Sequence, residues 1–404
     1  MSTPPEPSVP HLAERLTAYA VLAHDPAVPG IAADYWAKSE AHYRKVDAAL
    51  TSCVADTPAT ARPYADVLAD PTRAAAQHAL REALAARLAE RPDSADQLAQ
   101  AVAEADRHIW IDYHLGADYT AQAPEATSPE APEPSAATAA PVARPRPDGP
   151  GAVRIVIPFR DRAGGLRTRN LLACLRALAD QEGGPAHRIT VVETDSEPRS
   201  REILADLVDD YVFARKDGLF NKAWAVNVGV VATAADTPYT CVLDADILVD
   251  RHFVARNAER LREGDHGAHL TFRWSLSLDE PSTLRAIALR NDDAAADVPE
   301  SVLRGLLLRE PPGGCVWVRT EVFHAVGGFD ERYEGWGGED DDVVARLGAA
   351  ATLLRYTDPL LHLNHPRPEM TRDDGVPFNA HIEPLSWAPA HGYGDREKFI
   401  AATA

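Results

Sequence analysis

Residues 153–194, VRIVIPFRDRAGGLRTRNLLACLRALADQEGGPAHRITVVET, place a short apolar β-rich run, a helical stretch and a second β-rich run in succession. VRIVIPF (153–159) and RITVVET (188–194) read as strands, and LLACLRALAD (171–180) as the helix between them. The pattern then repeats. REILADLVDD (201–210) is expected to be helix, YVFAR (211–215) strand, NKAWAVNVGVVATA (221–234) helix and YTCVLDAD (239–246) strand. Alternation of this kind implies an α/β fold whose sheet is mostly parallel, with helices on both faces. Ligands of such sheets collect at the carboxyl ends of the strands, so the residues that follow each run are the ones to examine.

Upstream the composition changes. Residues 1–116 are expected to form a small all-helical domain, from the helical spacing of AAAQHALREALAARLAE and ADQLAQAVAEADRHIWIDYHL. Residues 117–152 are a Pro/Ala-rich tract with almost no large apolar side chains, which reads as a linker because it cannot bury enough surface to offset its ordering entropy. Residues 153–404 then hold the α/β region. The 404-residue chain is 45% hydrophobic, enough for two cores. Its formal charge of -20, from 61 acidic and 41 basic residues, argues against nucleic acid as a partner. No apolar run is long enough for a transmembrane segment, and MSTPPEPSVP lacks the basic start and apolar stretch of a signal peptide, so the expected location is cytoplasmic. Cys53, Cys174, Cys241 and Cys315 show no metal-binding spacing and are expected to be free thiols.

Four strand-end motifs carry chemistry. IPFRDR (157–162) offers Arg160 and Arg162 for phosphate, with Phe159 suited to packing on a flat base. CVLDADILVD places Asp244 and Asp246, an Asp-x-Asp (DXD) pair, where an apolar strand stops, and hard oxygen donors suit Mn2+ or Mg2+. LHLNHP spaces His362 and His365 three apart, so that with Asp246 they would make a mixed N/O metal site. YEGWGGEDDD (333–342) sets Trp336 among glycines ahead of Glu339, Asp340, Asp341 and Asp342. Acids at a helix start complement the macrodipole, yet a cap requires no glycine-hinged aromatic, which favours a mobile loop beside a reaction site.

IPFRDR, FNKAWAVNVG, VLDADILVD, PPGGCVWVRTEVFHAVGGFDERYEGWGGEDDDVVARL and HLNH occur in the order and nearly the spacing of the β-1,4-galactosyltransferase family. Residues from about 155 to 370 resemble its catalytic region and that of bacterial chondroitin-polymerase-type transferases. The resemblance implies a GT-A glycosyltransferase, with a Rossmann-like sheet, that uses a UDP-sugar donor, Mn2+ or Mg2+, and a glycan or small-molecule acceptor. By position it implies that Pro158, Phe159, Arg160, Arg162, Asn221, Lys222, Asp244, Gly314 and Trp336 face the nucleotide and donor, and that Asp246, His362 and His365 bind the metal. It also implies Asp340 as the catalytic base with Glu339 beside it, and Trp336 and Asp341 towards the acceptor. The helical domain is expected to mediate oligomer or acceptor contacts.

Asp340 stands where the retaining polypeptide N-acetylgalactosaminyltransferases carry Asn, so the expected outcome is inversion, giving a β-linked hexose or N-acetylhexosamine. The alternatives are a retaining enzyme of that N-acetylgalactosaminyltransferase kind and a catalytically silent carbohydrate-binding or scaffold protein. The family's members typically carry a membrane anchor and disulfides, neither of which is evident here. Pro311 and Pro312 replace bulkier aromatics of the galactose-specific enzymes, leaving the donor sugar open. Trp274 and Trp317 are candidates for sugar stacking, with Trp317 better suited to the core because it lies in the apolar GCVWVR strand. IPFRDRAGG lacks the glycine-rich phosphate loop expected of a sugar-1-phosphate nucleotidyltransferase.

Overall fold

The computed structural model of the protein describes residues 8–54, 57–121, 152–233, 237–291 and 297–400. It divides into two compact units. The first takes the described residues before 125 together with Leu276–Ala286 and Pro299–Arg309, and the second takes the rest.

The first unit begins with helices α1 (Val9–His24), α2 (Val28–Ile31), α3 (Ala33–Val54), α4 (Pro58–Ala69), α5 (Ala74–Glu90) and α6 (Pro92–Ala105). The helical expectation holds up to residue 105, but Ile111–Leu115 is a strand, β1, rather than the end of a helix. Within the strand Ile111 and Asp112 are buried and Tyr113, His114 and Leu115 half-buried, with no period-two alternation, so the difference comes from pairing and not from a local pattern. The partner that stabilises it is contributed from far along the chain by Arg304–Arg309, which pairs antiparallel with β1 from Ile111↔Leu308 to Leu115↔Arg304. Leu306 and Leu308 of that partner join the apolar core built by Leu16, Tyr19, Tyr43, Leu50 and Leu80. The residues expected to form the linker lie almost wholly outside the described residues.

The second unit runs β2 (Val153–Phe159), α7 (Leu166–Ala179), β3 (His187–Glu193), α8 (Arg201–Leu204), β4 (Asp210–Phe213), α9 (Lys222–Ala232), β5 (Tyr239–Leu243), β6 (Ile247–Leu248), α10 (Phe253–Glu263) and β7 (Ala268–Leu270). Then come β8 (Trp274–Leu278), α11 (Glu280–Arg290) and β9 (Arg304–Arg309), shared with or belonging to the first unit. The chain returns through β10 (Cys315–Arg319), α12 (Thr320–Ala325), α13 (Glu339–Ala350), β11 (Leu353–Arg355) and β12 (Leu360–His362). REILADLVDD supplies only the single turn α8.

Seven strands form one sheet in the order β11-β7-β10-β5-β2-β3-β4. β5, β2, β3 and β4 are parallel, and β10 is inserted antiparallel between β5 and β7. All seven residues of β2 are buried, as expected of a strand covered on both faces, and each buried Val or Ile is worth roughly 1.5–3 kcal/mol. α9 crosses β2 and β3 so closely that a side chain at Gly229 would overlap Val156 and Val192. Trp317 on β10 is wholly buried, whereas Trp274 is 41% exposed, so of the two only Trp274 offers a face to a sugar.

Candidate active site

The carboxyl end of β5 is the pivot. Asp244 follows the strand, and its amide donates to the Gly314 carbonyl at 2.9 Å on the neighbouring β10 side. Two residues on, β6 pairs antiparallel with β12, setting His362 opposite Ile247, and the Leu363 amide donates to the Asp246 carbonyl at 2.8 Å. These pairings bring together residues more than a hundred positions apart. Asp246, His362 and His365 offer ligand atoms that all lie within 4.8 Å of one another. His365 Nε2 is 2.9 Å from Asp246 Oδ2, and His362 Nε2 is 3.5 Å from Oδ1. Arg169 and Asn170 of α7 hold the HLNH segment by donating to the Asn364 carbonyl at 3.2 and 3.0 Å.

The donor set fits a divalent cation. His365 Nδ1 is 2.9 Å from the Pro366 carbonyl, which can only accept, so the ring proton sits on Nδ1. Nε2 then faces the Asp246 carboxylate lone pair to lone pair, an approach that only a proton or a cation between them can stabilise. Asp246 Oδ1 is buried and has no hydrogen-bond partner, a vacancy that native structures rarely leave without a reason. Burial pushes the His362 imidazole down to about 3, so it is the neutral form that a metal needs. Burial opposes charge on Asp246 as well, yet cationic charge close by, of which Arg167 at 3.7 Å is the permanent source, holds its carboxyl well below the usual range.

A second cluster adjoins the first through Asp244. Lys222 Nζ lies 2.8 and 3.0 Å from the Asp244 oxygens, and 3.0 and 2.9 Å from Asp340 Oδ1 and Oδ2. One ammonium thus bridges two carboxylates. Lys222 owes its position to α9, whose first turn is capped by Asn221: the Asn221 side-chain oxygen accepts from the Trp224 amide at 2.7 Å. Asp340 lies in the first turn of α13 together with Glu339, Asp341 and Asp342, so the acids do serve as a helix start as well. Gly313 faces them; a Cβ there would overlap the Asp340 carboxylate. Desolvation and the neighbouring Asp340 push the half-buried Glu339 carboxyl up to about 7, with Lys222 pulling the other way. Asp342 is spent on structure, gripping Arg346 at 2.7 Å and accepting from the Leu385 amide at 2.9 Å. Asp341 is exposed.

The Trp336 loop owes its path to glycines at positive φ, Gly335 (74°), Gly337 (95°) and Gly338 (99°). It is tethered. Asn379 accepts from the Glu334 amide at 3.0 Å and donates to the Gly337 carbonyl at 2.8 Å, Gly335 donates to Phe220 at 2.7 Å, and Lys216 reaches Glu334 at 3.2 Å. Trp336 itself is half-buried.

Several expected donor contacts are placed differently. Phe159 is 1% exposed and Pro158 lies in register with Val192, so both are interior strand residues and neither ring faces a ligand. Arg160 spends its guanidinium on the carbonyls of Thr194, Gly218 and Lys216 at 2.6, 2.7 and 2.7 Å, tying strand ends together instead of presenting itself to phosphate. Asn221 is fully buried, its amide donating to Glu331 at 2.8 Å, and acts by capping the helix that carries Lys222. Arg162 is 57% exposed in its side chain and pairs with Asp195. That aspartate was not picked out by motif reading. It lies two residues beyond β3, almost wholly buried, with Arg199 3.6 Å from Oδ2 but no hydrogen-bond partner there, and only its position after the run RITVVET pointed to it.

Two family models match residues between 154 and 366, most of them in the second unit. The one described as glycosyl transferase family 2 covers residues 154–323, and the one described as the N-terminal domain of galactosyltransferase covers residues 308–366. Residues 154–323 are thus similar to glycosyl transferase family 2 domains and residues 308–366 to the galactosyltransferase domain. Among curated proteins, human β-1,4-galactosyltransferase 1 is 29% identical over 131 residues, which is 32% of this chain and 26% of that protein. The β-1,4-galactosyltransferase 3 of Cricetulus griseus is 24% identical over 149 residues, 37% of this chain and 30% of that protein. The chain therefore spans about a quarter to a third of the length of these relatives. A mutant Drosophila β-1,4-galactosyltransferase 7, solved with manganese, UDP-Gal and xylobiose, overlaps 58% of this chain and 75% of its own at 20% identity, with a TM-score of 0.29. Among the described residues, no helix is long and apolar enough to cross a membrane.

Proposed function

We propose that this chain is a divalent-metal-dependent, inverting glycosyltransferase that moves a hexose or N-acetylhexosamine from a UDP-sugar to an acceptor hydroxyl, forming a β-glycosidic bond. The observation that carries this reading is the juxtaposition, through Asp244, of the Asp246–His362–His365 set with the Lys222-bridged acids. Asp246, His362 and His365 would hold Mn2+ or Mg2+, which when bound supplies positive charge to a departing diphosphate. Lys222 and Arg162 add cationic donors, and Asp195 Oδ2, which has Arg199 3.6 Å away but no hydrogen-bond partner, would be an acceptor for an N–H of the base.

Asp340 would take the acceptor proton. In the structure both its oxygens accept from Lys222, and each keeps a further lone pair that would accept from the incoming hydroxyl. Glu339, poised near neutral pH, can receive or return a proton within the same cluster. Closure of the Trp336 loop would exclude water that otherwise hydrolyses the donor. Free Cys53, Cys174, Cys241 and Cys315 support a reducing, cytoplasmic setting. The helical unit is proposed to engage the acceptor or a second chain.

The test is UDP release from a panel of UDP-sugars with Mn2+, comparing the native chain with Asp340→Asn, and NMR of the product's anomeric linkage. A metal-dependent β product that Asp340→Asn abolishes supports the reading. An α linkage would replace it with retention, and absence of turnover with every donor would favour the silent carbohydrate-binding alternative.

A further inference from the structure

Three arginines beside the strand-end site are already spent. Arg160 donates to three carbonyls, Arg162 to Asp195, and Arg169 to the Asn170 side chain and the Asn364 carbonyl. Arg167 is different. Its Nη1 is 3.7 Å from Asp246 Oδ2, beyond hydrogen-bond length, and among the described residues its guanidinium donates to no acceptor of the protein. The side chain is 27% exposed, so a ligand can reach its head.

The start of α7 fixes this position. Asp161 accepts from the Ala163 and Thr168 amides at 2.8 Å and from Thr168 Oγ1 at 2.7 Å. A carboxylate of the chain itself, not a ligand, thus occupies the beginning of the helix, and the arginine side chain is the group left to meet one. Three residues on, Asn170 is fully buried and holds the Asn364 carbonyl, between the two histidines, at 3.0 Å. That spacing puts Arg167 and Asn170 on one face of α7, the face turned to Asp246, His362 and His365.

A guanidinium is a costly neighbour for a divalent-cation site. Once a cation takes the Asp246 carboxylate, the acid nearest Arg167 is withdrawn from it and two positive charges stand close by, which neutral imidazole ligands do nothing to offset. Like charges so placed repel unless an anion answers both. We infer that Arg167 is a diphosphate-binding residue, its guanidinium donating to phosphate oxygens of the nucleotide donor that also answer the charge of the cation. The inference rests on the transferase reading given above and adds to it a residue that lies outside every strand-end motif.

The experiment uses the full chain at pH 7. Titration calorimetry measures UDP at saturating Mn2+, and electron paramagnetic resonance of the free ion measures Mn2+ alone. In Arg167→Gln, UDP affinity is expected to fall at least 10-fold while Mn2+ affinity stays equal or rises, because a cation has been removed from beside Asp246. A merely structural role would weaken both together. Arg167→Met, which keeps the aliphatic stem, is expected to give the same split and serves if Arg167→Gln folds poorly by circular dichroism. A loss of UDP affinity smaller than 10-fold, or a parallel loss of Mn2+ and UDP, would overturn this inference and leave the transferase reading standing. A native chain that fails to bind UDP with Mn2+ would overturn both.

Discussion

Buried charge is handled in opposite ways in the two units. In the helical unit the buried acids Asp25, Asp112 and Asp279 are all paired with arginines, Arg304 serving two of them. Arg304 donates to Asp279 at 2.8 Å, to Asp25, and to the Tyr113 hydroxyl at 3.0 Å, and Tyr119 adds a hydrogen bond to Asp279 at 2.8 Å. Asp112 is gripped by Arg15 at 2.6 Å and Arg309 at 2.8 Å, which hold its carboxyl below the usual range against the opposing pull of burial. At the strand ends of the other unit a single lysine serves Asp244 and Asp340, Asp246 keeps an unpartnered oxygen, and Glu339 is pushed to about 7. Charges that hold a fold are compensated from within; those of the candidate strand-end site are left short, as a site completed by a ligand would be. The contrast predicts which substitutions damage stability and which damage chemistry.

The largest effect is expected in the compensated network. Arg304→Ala leaves Asp25 and Asp279 buried and unpaired and should lower unfolding free energy by about 3–5 kcal/mol, read from urea midpoints at constant slope. A loss below about 1 kcal/mol would erase the distinction between the units. Asp246→Asn should do the reverse, leaving the metal-free protein as stable as the native chain or more so, while lowering Mn2+-supported UDP release on the order of 10²–10³-fold. A stability loss comparable to that of Arg304→Ala would place Asp246 with the structural charges.

Glu339 gives a pH-dependent contrast. Its folded carboxyl titrates near 7 against 4.5 ordinarily, so the folded state binds the extra proton between those values. Stability is therefore highest below 4.5, falls as pH rises through that window, and the cost is complete above about 7. Glu339→Gln should flatten that fall, raising stability at pH 8 relative to pH 4.5 by at most about 3 kcal/mol against the native chain. An unchanged difference in thermal midpoints across the window would show that the acids around Lys222 are compensated after all. The smallest effect is expected at the loop tether. Asn379→Ala removes three hydrogen bonds from the Trp336 loop and should cost about 1 kcal/mol of stability. It should also change KM for the donor by a few-fold, while a kcat loss of 10-fold or more would mean that the tether shapes the chemistry itself.

Much of the fold could be read along the chain because β2, β3, α9 and β5 are local patterns: short apolar runs buried on both faces and a capped helix. The grouping of Asp246, His362 and His365 was legible for a similar reason, since Asp246 follows a strand and two histidines share one short segment. What could not be read is set by contacts distant in sequence. Ile111–Leu115 becomes a strand because Arg304–Arg309 pairs with it. Arg160 is captured by carbonyls 34 to 58 residues away, a fate that no spacing within IPFRDR reveals. Lys222 lies 118 residues from Asp340, so motif reading could place both near a donor but could not show that one bridges the other to Asp244.

The central claim, that the under-compensated strand-end acids are completed by a cation, is tested most directly by anomalous diffraction at the manganese edge from crystals of the full chain grown with Mn2+ and UDP. The account predicts one strong peak at about 2.0–2.2 Å from an Asp246 oxygen and the Nε2 atoms of His362 and His365. A peak elsewhere, or none at this site under saturating Mn2+, would contradict it.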